Sequence, residues 1–253
     1  MQEFLETNIL YFFMHLTRWL LFTHFIPFLG SLLLSPTIKI ALSLCLSLFS
    51  FLMTIEHAVE INNLSIIIIF LLFIKELLIG FILGFLVSLL FFLYEYVGQL
   101  IDIFRGASMS QILVPQSKHQ SSALGSLFFQ LFLVLFITLG WHRYLIIFLY
   151  ESFETFPVSN LELQDIDQSW LFFLKTIISF FKLAFKFSLP VLALCFLIDV
   201  SFGLLNRISP QINAYFLSLP AKMMAGLIMA TYLVFYIFNY AKKYPKEIFF
   251  NIL

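Results

Sequence analysis

The chain has 253 residues, of which 62% are hydrophobic and 11% are charged, whereas an ordinary soluble domain carries roughly 25% charged residues. It therefore lacks the polar groups that would coat a water-facing surface, and its 35 Phe residues would promote aggregation if water surrounded them. The formal net charge is zero, which gives no electrostatic basis for binding nucleic acid. We expect a protein embedded in lipid.

Six hydrophobic segments are long enough to be considered as membrane spans, which take roughly 20 apolar residues as helices. Their apolar runs lack the period-two alternation of membrane barrels, so helices are favoured over strands. The predicted fold is all-α and polytopic, with long kinked helices and helical hairpins. The segments are Ile9–Leu34, Ile38–Ile55, Leu64–Arg105, Ser122–Tyr150, Ser169–Arg207 and Pro220–Tyr240.

The third segment, Leu64–Arg105, is too long for one simple crossing. As a single helix its 42 residues would reach roughly 63 Å, about twice the roughly 30 Å of the hydrocarbon core. It must protrude, break or be partly buried in protein. Gly80, Gly84 and Ser88 recur every four residues within it, a pattern that lets another helix approach closely.

Charged residues also lie within this third segment. Lys75 and Glu76 are near its middle, and Glu95, Asp102 and Arg105 follow in its second half. Residues 95 and 102 share a helical face, with Arg105 one turn beyond Asp102. Because ionisable groups are costly against lipid, we expect this face to lie inside a bundle or against water.

The fifth and sixth segments carry a lysine face and two prolines. Lys175, Lys182 and Lys186 fall on one side of a helical wheel. They either line a buried or wet surface, pairing with acids of neighbouring subunits or with Asp102 and Glu95, or snorkel from a segment end. Pro190 is expected to kink the fifth helix, and Pro220 to open the last one as a first-turn proline.

Enzyme signatures are missing from the sequence, which has no HExxH pair, no GxxxxGK[ST] loop and no GxSxG elbow. We therefore predict no catalytic residue, no cofactor and no metal site. Two alternatives stay open at this point. One is an intramembrane enzyme that uses Asp102 and Asp199, and the other is a secondary transporter of small solutes that uses buried Lys and carboxylate groups.

The stretch Gly106–Ser122 interrupts the helical pattern between the third and fourth segments. It is rich in small polar residues and carries Met109 and Pro115. Irregular backbone at membrane depth survives only inside protein or beside a water-filled cavity. The stretch is therefore either a constriction or closure element of a pathway, or a solvent-exposed connecting loop.

Several motifs in order resemble the FliR/SctT family, membrane proteins of the export apparatus in bacterial type III secretion systems and flagella. The motif at 204–213, LLNRISPQIN, resembles the family's LLxRxxPQxN element. Further matching stretches are Gly98–Asp102, Arg105–Met109 with Pro115, Gly140–His142, Ser152–Phe153 with Pro157, Leu189–Asp199 and Leu219–Lys222. The resemblance covers nearly the whole chain.

This resemblance implies a noncatalytic subunit of a helical export gate in the bacterial inner membrane, present in one copy per complex. Its expected partners are several copies of FliP/SctR-like and FliQ/SctS-like membrane proteins, the FlhB/SctU-like switch protein, exported unfolded proteins and lipid, with no nucleic acid. The expected organisation is one domain over residues 1–253, with N-terminal helices (1–105), a plug-like loop (106–121) and C-terminal helices (122–253). An Arg before the plug glycine, as at Arg105, favours a virulence-associated injectisome over a flagellum.

The resemblance also implies roles for two groups of residues. The first group would form the pore-facing plug: Arg105, Gly106, Ala107, Ser108, Met109, Ser110, Gln111, Ile112, Leu113 and Pro115. The second group would support structure and assembly: Gly80, Gly84, Asp102, Lys182, Lys186, Pro190, Asp199, Arg207, Pro210, Gln211, Asn213, Pro220 and Lys222.

Overall fold

The computed structural model describes residues 2–27, 35–54, 65–107, 122–158, 166–209, 211 and 213–243. Within these ranges the chain forms seven α-helices and no strand, so the all-α prediction is confirmed. The helices are α1 (Gln2–Phe25), α2 (Pro36–Thr54), α3 (Ile66–Phe104), α4 (Ala123–Thr138), α5 (His142–Thr155), α6 (Ile166–Ile208) and α7 (Ala214–Lys243).

Four of the described helices are long and apolar enough to cross a membrane: α2, α3, α6 from Phe173 onward, and α7 as far as Asn239. The bent pair α4 and α5 adds a fifth crossing if it counts as one span. Large apolar side chains project outward from these helices, with Ile66 85% exposed and Phe235 69% exposed. Such surfaces need lipid or a protein partner to cover them, which confirms a multi-pass membrane protein.

Two predicted spans differ from the helices observed. The segment Ile9–Leu34 corresponds to α1, which ends at Phe25 and falls outside the set of candidate spans. His15 and Arg18 interrupt its apolar run, and residues 28–34 lie outside the described ranges. The segment Ser122–Tyr150 is divided into α4 and α5 by a turn at Gly140, whose φ of +74° is readily adopted by glycine.

Helix α3 runs unbroken through 39 residues. The third hydrophobic segment therefore does not break into two helices. The chain divides into two compact units, and both α3 and α6 contribute residues to each. Unit 1 comprises Met1–Leu89 and Gly140–Phe173, and unit 2 comprises Leu90–Leu139 and Leu174–Leu253.

In unit 1, α1 packs against α2 and α3. The core includes the fully buried Trp19 and Phe22 of α1. The facing side of α2 carries buried serines every three or four residues, and Ser50 accepts a hydrogen bond from Trp19 Nε1 at 2.9 Å. A Cβ atom on Gly80 would lie 2.6 Å from the carbonyl oxygen of Arg18, so α1 lies directly on the glycine face of α3.

In unit 2, aromatic rings of α3 and α4 form the centre of the core. Phe91 contacts Phe132 and Phe136, with ring centroids 5.2 and 5.0 Å apart, and Tyr94 stacks on Phe132 at 4.1 Å. These rings are almost completely buried. Large interlocking side chains of this kind hold two helices in one register, which positions the ends of the helices described below.

The two prolines singled out in the fifth and sixth segments both lie inside helices. Pro190 is within α6, and Pro220 is the seventh residue of α7, so the prediction that Pro220 opens the last helix is wrong. The helix begins earlier, since the amide of Leu217 already makes a helical bond to Asn213 O at 3.4 Å, and the side-chain Oγ of Ser218 donates in addition to Tyr215 O at 2.8 Å. Proline at this point removes one backbone donor without ending the helix.

Candidate functional site

Helix α3 ends at Phe104, and the turn Arg105–Ala107 that follows it begins the predicted plug. Gly106 has a φ of +80°, a conformation that costs little only for glycine. The amide of Gly106 donates to Ile103 O at 3.1 Å, and the amide of Ala107 donates to Asp102 O at 3.0 Å. This pair of bonds is a Schellman motif. A Cβ on Gly106 would also lie 2.9 Å from Leu219 Cδ2 of α7, so this turn has little room for a side chain.

The Asp102 carboxylate joins this turn to the start of α4. Its Oδ1 accepts from Arg105 Nε at 2.6 Å, and its Oδ2 accepts from Ser122 Oγ and from the amide of Leu124, the latter at 3.0 Å. Ser122 is also the N-cap of α4, since its Oγ accepts from the amide of Gly125 at 2.9 Å. We call Asp102, Arg105, Ser122 and Leu124 the Asp102 clasp.

The clasp is buried and electrostatically complementary. Asp102 is 3% and Arg105 8% exposed, so each charge depends on the other for compensation. The carboxylate also lies at the positive N-terminal end of α4, where a negative charge is favourable. The aliphatic stem of Arg105 runs beside Gly226 of α7, where a Cβ would approach Arg105 Cβ to 3.3 Å. The two ends of the 106–121 segment are therefore tied together on a packed base.

The clasp contains some of the predicted plug and assembly residues. Arg105, Gly106 and Ala107 lie at this base, together with Asp102. The other plug residues, Ser108 to Leu113 and Pro115, lie outside the described residues, as does Pro210 of the assembly group. The sequence had placed Asp102 and Arg105 one turn apart, and their ion pair follows from that spacing. Ser122 and the amide of Leu124 were not predicted as partners.

A second ion pair connects α6 and α7 within unit 2. Lys222 Nζ lies 2.8 Å from Asp199 Oδ1. The Lys222 side chain is 9% exposed, whereas that of Asp199 is 48% exposed. Asp199 lies within the candidate span Phe173–Ile208, so the pair compensates the charge of a lysine that the fold almost completely covers.

The predicted lysine face lies on the surface of α6. Lys175, Lys182 and Lys186 are all exposed, and none takes part in an ion pair among the described residues. Asp102 is held by Arg105 instead, and Glu95 accepts a hydrogen bond from Gln99 Nε2 at 3.4 Å. Pairing of these lysines with neighbouring subunits stays a prediction.

The other predicted assembly residues are distributed over both units. Gly84 lies where a Cβ would meet Phe25 Cβ at 2.9 Å, which extends the close contact between α3 and α1 that Gly80 begins. Arg207, Gln211 and Asn213 are exposed near the junction of α6 and α7. These exposed residues contribute little to the core of unit 2.

Unit 1 contains a buried cluster of three charged residues, and the sequence had indicated two of them. Arg18 Nε lies 2.6 Å from Glu76 Oε2, and both side chains are 0% exposed. Lys75 Nζ lies 3.3 Å from the other carboxylate oxygen, Glu76 Oε1. The sequence had indicated Lys75 and Glu76 but missed Arg18. The signal for it was a single arginine within the first apolar segment, which calls for a buried partner.

Both basic groups of this cluster also hold the C-terminal end of α5. Arg18 donates through Nη1 to Ser152 O at 3.0 Å and through Nη2 to Phe156 O at 2.8 Å, while its Cζ lies 4.0 Å from the Phe153 ring centroid. Lys75 Nζ donates to Pro157 O at 2.6 Å. Cations at a helix C-terminus complement its dipole and its unpaired carbonyls. The cluster therefore ties α1, α3 and α5 together.

His15 lies next to this cluster in α1, outside the four candidate spans. Its ring stacks on Phe153 with centroids 4.3 Å apart, and Nδ1 lies 3.1 Å from Ser50 Oγ. Burial, with a smaller contribution from the nearby positive charge of Arg18, lowers the pKa of His15 from 6.5 to about 3. The ring is therefore neutral at physiological pH and does not act as a pH switch there.

Metal-ligating side chains do not gather in the described part of the chain, where no group of three His, Cys, Asp or Glu residues could hold an ion. Cys195 is buried and Cys45 is exposed, both as free thiols.

The sequence of this chain matches the family described as bacterial export proteins, family 1, over residues 9–248. It is 33% identical over 160 residues to the secretion system apparatus protein SsaT of Salmonella typhimurium, covering 63% of this chain and 60% of SsaT. It is 31% identical over 230 residues to the flagellar biosynthetic protein FliR of Aquifex aeolicus, covering 90% of this chain and 85% of that protein.

A third relative is the surface presentation of antigens protein SpaR of Shigella flexneri, which is 29% identical over 213 residues, or 81% of this chain and 77% of SpaR. The family match over residues 9–248 spans nearly the whole chain and includes the Asp102 clasp, the LLNRISPQIN motif and the Lys222–Asp199 pair. The chain therefore belongs to family 1 of the bacterial export proteins, the FliR/SctT family of type III export-apparatus subunits in the bacterial inner membrane.

Proposed function

We propose that this protein is a noncatalytic subunit of a type III export gate, through which unfolded proteins leave the cell, and that the segment after α3 closes the gate at rest. Family membership supports the export role, and the four or five apolar helices support a position in the membrane. The observation that carries the closure role is the Asp102 clasp, which ties both ends of the 106–121 segment to a rigid base.

The clasp suits a closure element for a physical reason. A loop whose ends are pinned loses less conformational entropy on ordering than one whose ends are free. The apolar residues Met109, Ile112 and Leu113 would then supply soft sealing groups in the lumen. Transport would open this seal while the clasp keeps the loop attached to α3 and α4.

The subunit is proposed to act within a larger complex. Partners of the FliP/SctR, FliQ/SctS and FlhB/SctU types would surround one copy of this chain, and its exposed apolar helix faces would be covered by those subunits or by lipid. Relatives include both a flagellar FliR and the secretion apparatus protein SsaT. The Arg at position 105 favours an injectisome role.

The two alternative functions have less support. An intramembrane protease of the aspartyl type needs two cooperating carboxylates, but Asp102 is neutralised by Arg105 and Asp199 by Lys222. A small-solute transporter would need a midplane site shared by repeated helices, and the sequence shows no convincing repeat. The polar contacts of both aspartates are those of structural ion pairs.

Deletion of residues 107–114 should make the resting complex leaky to ions. The deletion removes the proposed sealing residues but leaves the Asp102 clasp in place. Ion leakage can be followed with a membrane-potential dye in cells that express the complete export apparatus. Unchanged leakage, with normal amounts of assembled complex, would show that this segment does not close the gate.

Replacement Asp102→Asn should both destabilise the protein and increase ion leakage. It leaves the buried Arg105 without its counter-charge, which costs about 3 kcal/mol or more, and it replaces an acceptor of the clasp by a donor. The control is Glu151→Gln, because Glu151 is exposed on α5 and takes part in no ion pair among the described residues, so its loss of charge should change stability by about 0.5 kcal/mol or less. Equal thermal stability and equal leakage of the two variants would contradict a special role for the clasp.

A further inference from the structure

One face of α7 supports the turn that follows α3, within unit 2. Leu219, Lys222 and Gly226 are three and seven residues apart on this helix, so they lie on the same side of it. A Cβ on Gly106 would come within 2.9 Å of Leu219 Cδ2, and a Cβ on Gly226 would come within 3.3 Å of Arg105 Cβ. Helix α7 therefore contacts the turn at two points, about two helical turns apart.

Two further contacts join the same face of α7 to α6. Lys222 Nζ lies 2.8 Å from Asp199 Oδ1, and a Cβ on Gly226 would lie 3.7 Å from Cys195 Sγ. Asp199 comes one turn after Cys195 on α6, and Gly226 comes one turn after Lys222 on α7, as two antiparallel helices in register require. Among the described residues, Asp199–Lys222 is the ion pair that joins α6 to α7.

Pro220 weakens α7 between its contact with the turn and its contact with Asp199. Because proline has no N–H, the carbonyl of Phe216 lacks its usual helical donor. Residues 214–219 are therefore joined to the rest of α7 by one hydrogen bond fewer than in a regular helix. An ion pair at Lys222, directly after this weak point, fixes the part of α7 from which the first turns of the helix extend.

We infer that the Asp199–Lys222 pair is a positioning contact for the turn at residues 105–107 and, through it, for the segment that closes the gate. The pair holds α7 to α6, and α7 supports the turn through Leu219 and Gly226. Loss of the pair would loosen the turn although the Asp102 clasp keeps all of its own atoms. The step from turn to closure rests on the proposed function, whereas the step from pair to turn does not.

The first test is hydrogen exchange, followed by mass spectrometry, on the detergent-purified full chain carrying Lys222→Met. This change removes the cation and leaves Asp199, whose side chain is 48% exposed, so no fully buried charge is left unpaired. The amides of Gly106 and Ala107 are hydrogen-bonded within the turn. We expect them to exchange about tenfold faster in the variant, because local opening sets their exchange rate. Peptides of α2, in unit 1, should exchange as before.

Two other lysine variants separate the ion pair from packing. Lys222→Arg keeps a cation within reach of Asp199 and should keep the slow exchange of the turn. Lys175→Met is the control, because Lys175 is exposed on α6 and forms no ion pair among the described residues; its loss should not change exchange of the turn. Unchanged exchange in Lys222→Met, or equally fast exchange in Lys222→Arg, would overturn the inference.

Ion leakage of the resting export apparatus tests the step from turn to closure. Lys222→Met should leak more than the unchanged protein but less than the deletion of residues 107–114, because the proposed sealing residues are still present. A leaky deletion beside a tight Lys222→Met would overturn this step and leave the proposed closure intact. Two tight variants would contradict the closure itself, and faster exchange of the turn would still identify the pair as its positioning contact.

Discussion

Replacing Gly98 with alanine should lower the free energy of unfolding by about 3 kcal/mol and prevent α3 and α4 from packing as they do. A Cβ on Gly98 would lie 2.5 Å from the amide nitrogen of Gly125 and 2.5 Å from the carbonyl oxygen of Leu124. These are backbone atoms, which cannot rotate away as a side chain can. Overpacking of this kind costs about 1–3 kcal/mol, and more where nothing yields. Denaturant unfolding of the detergent-purified protein measures the loss.

The same substitution at another helical glycine provides the control. A Cβ on Gly203 of α6 meets nothing within 4 Å, so Gly203→Ala adds no clash and should stabilise the helix by a few tenths to about 1 kcal/mol. Both variants change glycine to alanine inside a helix, and they differ only in what surrounds the new methyl group. If Gly98→Ala were as stable as Gly203→Ala, the close crossing of α3 and α4 would be wrong.

Gly98→Ala should also weaken the Asp102 clasp. Asp102 is one turn after Gly98 on α3, and the amide that it accepts from belongs to Leu124, next to Gly125. Moving α4 outward by a few tenths of an ångström would lengthen this bond. We therefore expect Gly98→Ala to share the ion leakage of Asp102→Asn, whereas Gly203→Ala should not.

The helices themselves could be predicted from hydrophobic runs, because local composition decides where a membrane helix forms. The glycine spacing at Gly80 and Gly84 likewise indicated a close helix contact. It could not identify α1 as the neighbour, since the contact joins residues about sixty positions apart. The crossing at Gly98 and Gly125 was missed because each glycine stands alone in its own helix, without the four-residue repeat that marked the other pair.

Polar contacts between residues close in sequence could likewise be predicted, whereas those between distant residues could not. The Asp102–Arg105 pair spans one helical turn and could be predicted from spacing. Ser122 and Arg18 could not be assigned partners, because a tertiary contact has no periodic signal in a single sequence. Pro220 was wrongly placed at a helix start, since a proline near a helix beginning is compatible with more than one position when the residues before it favour helix.

Replacing Arg18 with methionine should destabilise unit 1 by about 4 kcal/mol, the effect of leaving a buried carboxylate without its main counter-ion. Glu76 would keep only the contact with Lys75 Nζ at 3.3 Å, the carbonyl of Phe156 would lose the donor at Arg18 Nη2, and the carbonyl of Ser152 would keep only the amide of Phe156 at 2.9 Å. Arg143→Met is the control, because Arg143 is exposed on α5 and its loss should change stability by about 0.5 kcal/mol or less.

The double variant Arg18→Met, Glu76→Met distinguishes an ion pair from simple packing. If the two side chains stabilise the fold through each other, removing both should cost less than the sum of the single losses, with a coupling energy of about 1–3 kcal/mol. Two apolar residues of similar size would fill the space without a stranded charge, and this can recover stability. Additive losses in the double-mutant cycle would mean that Arg18 acts mainly through its contacts with the end of α5. The cluster would then serve as a helix cap that Glu76 only happens to neighbour.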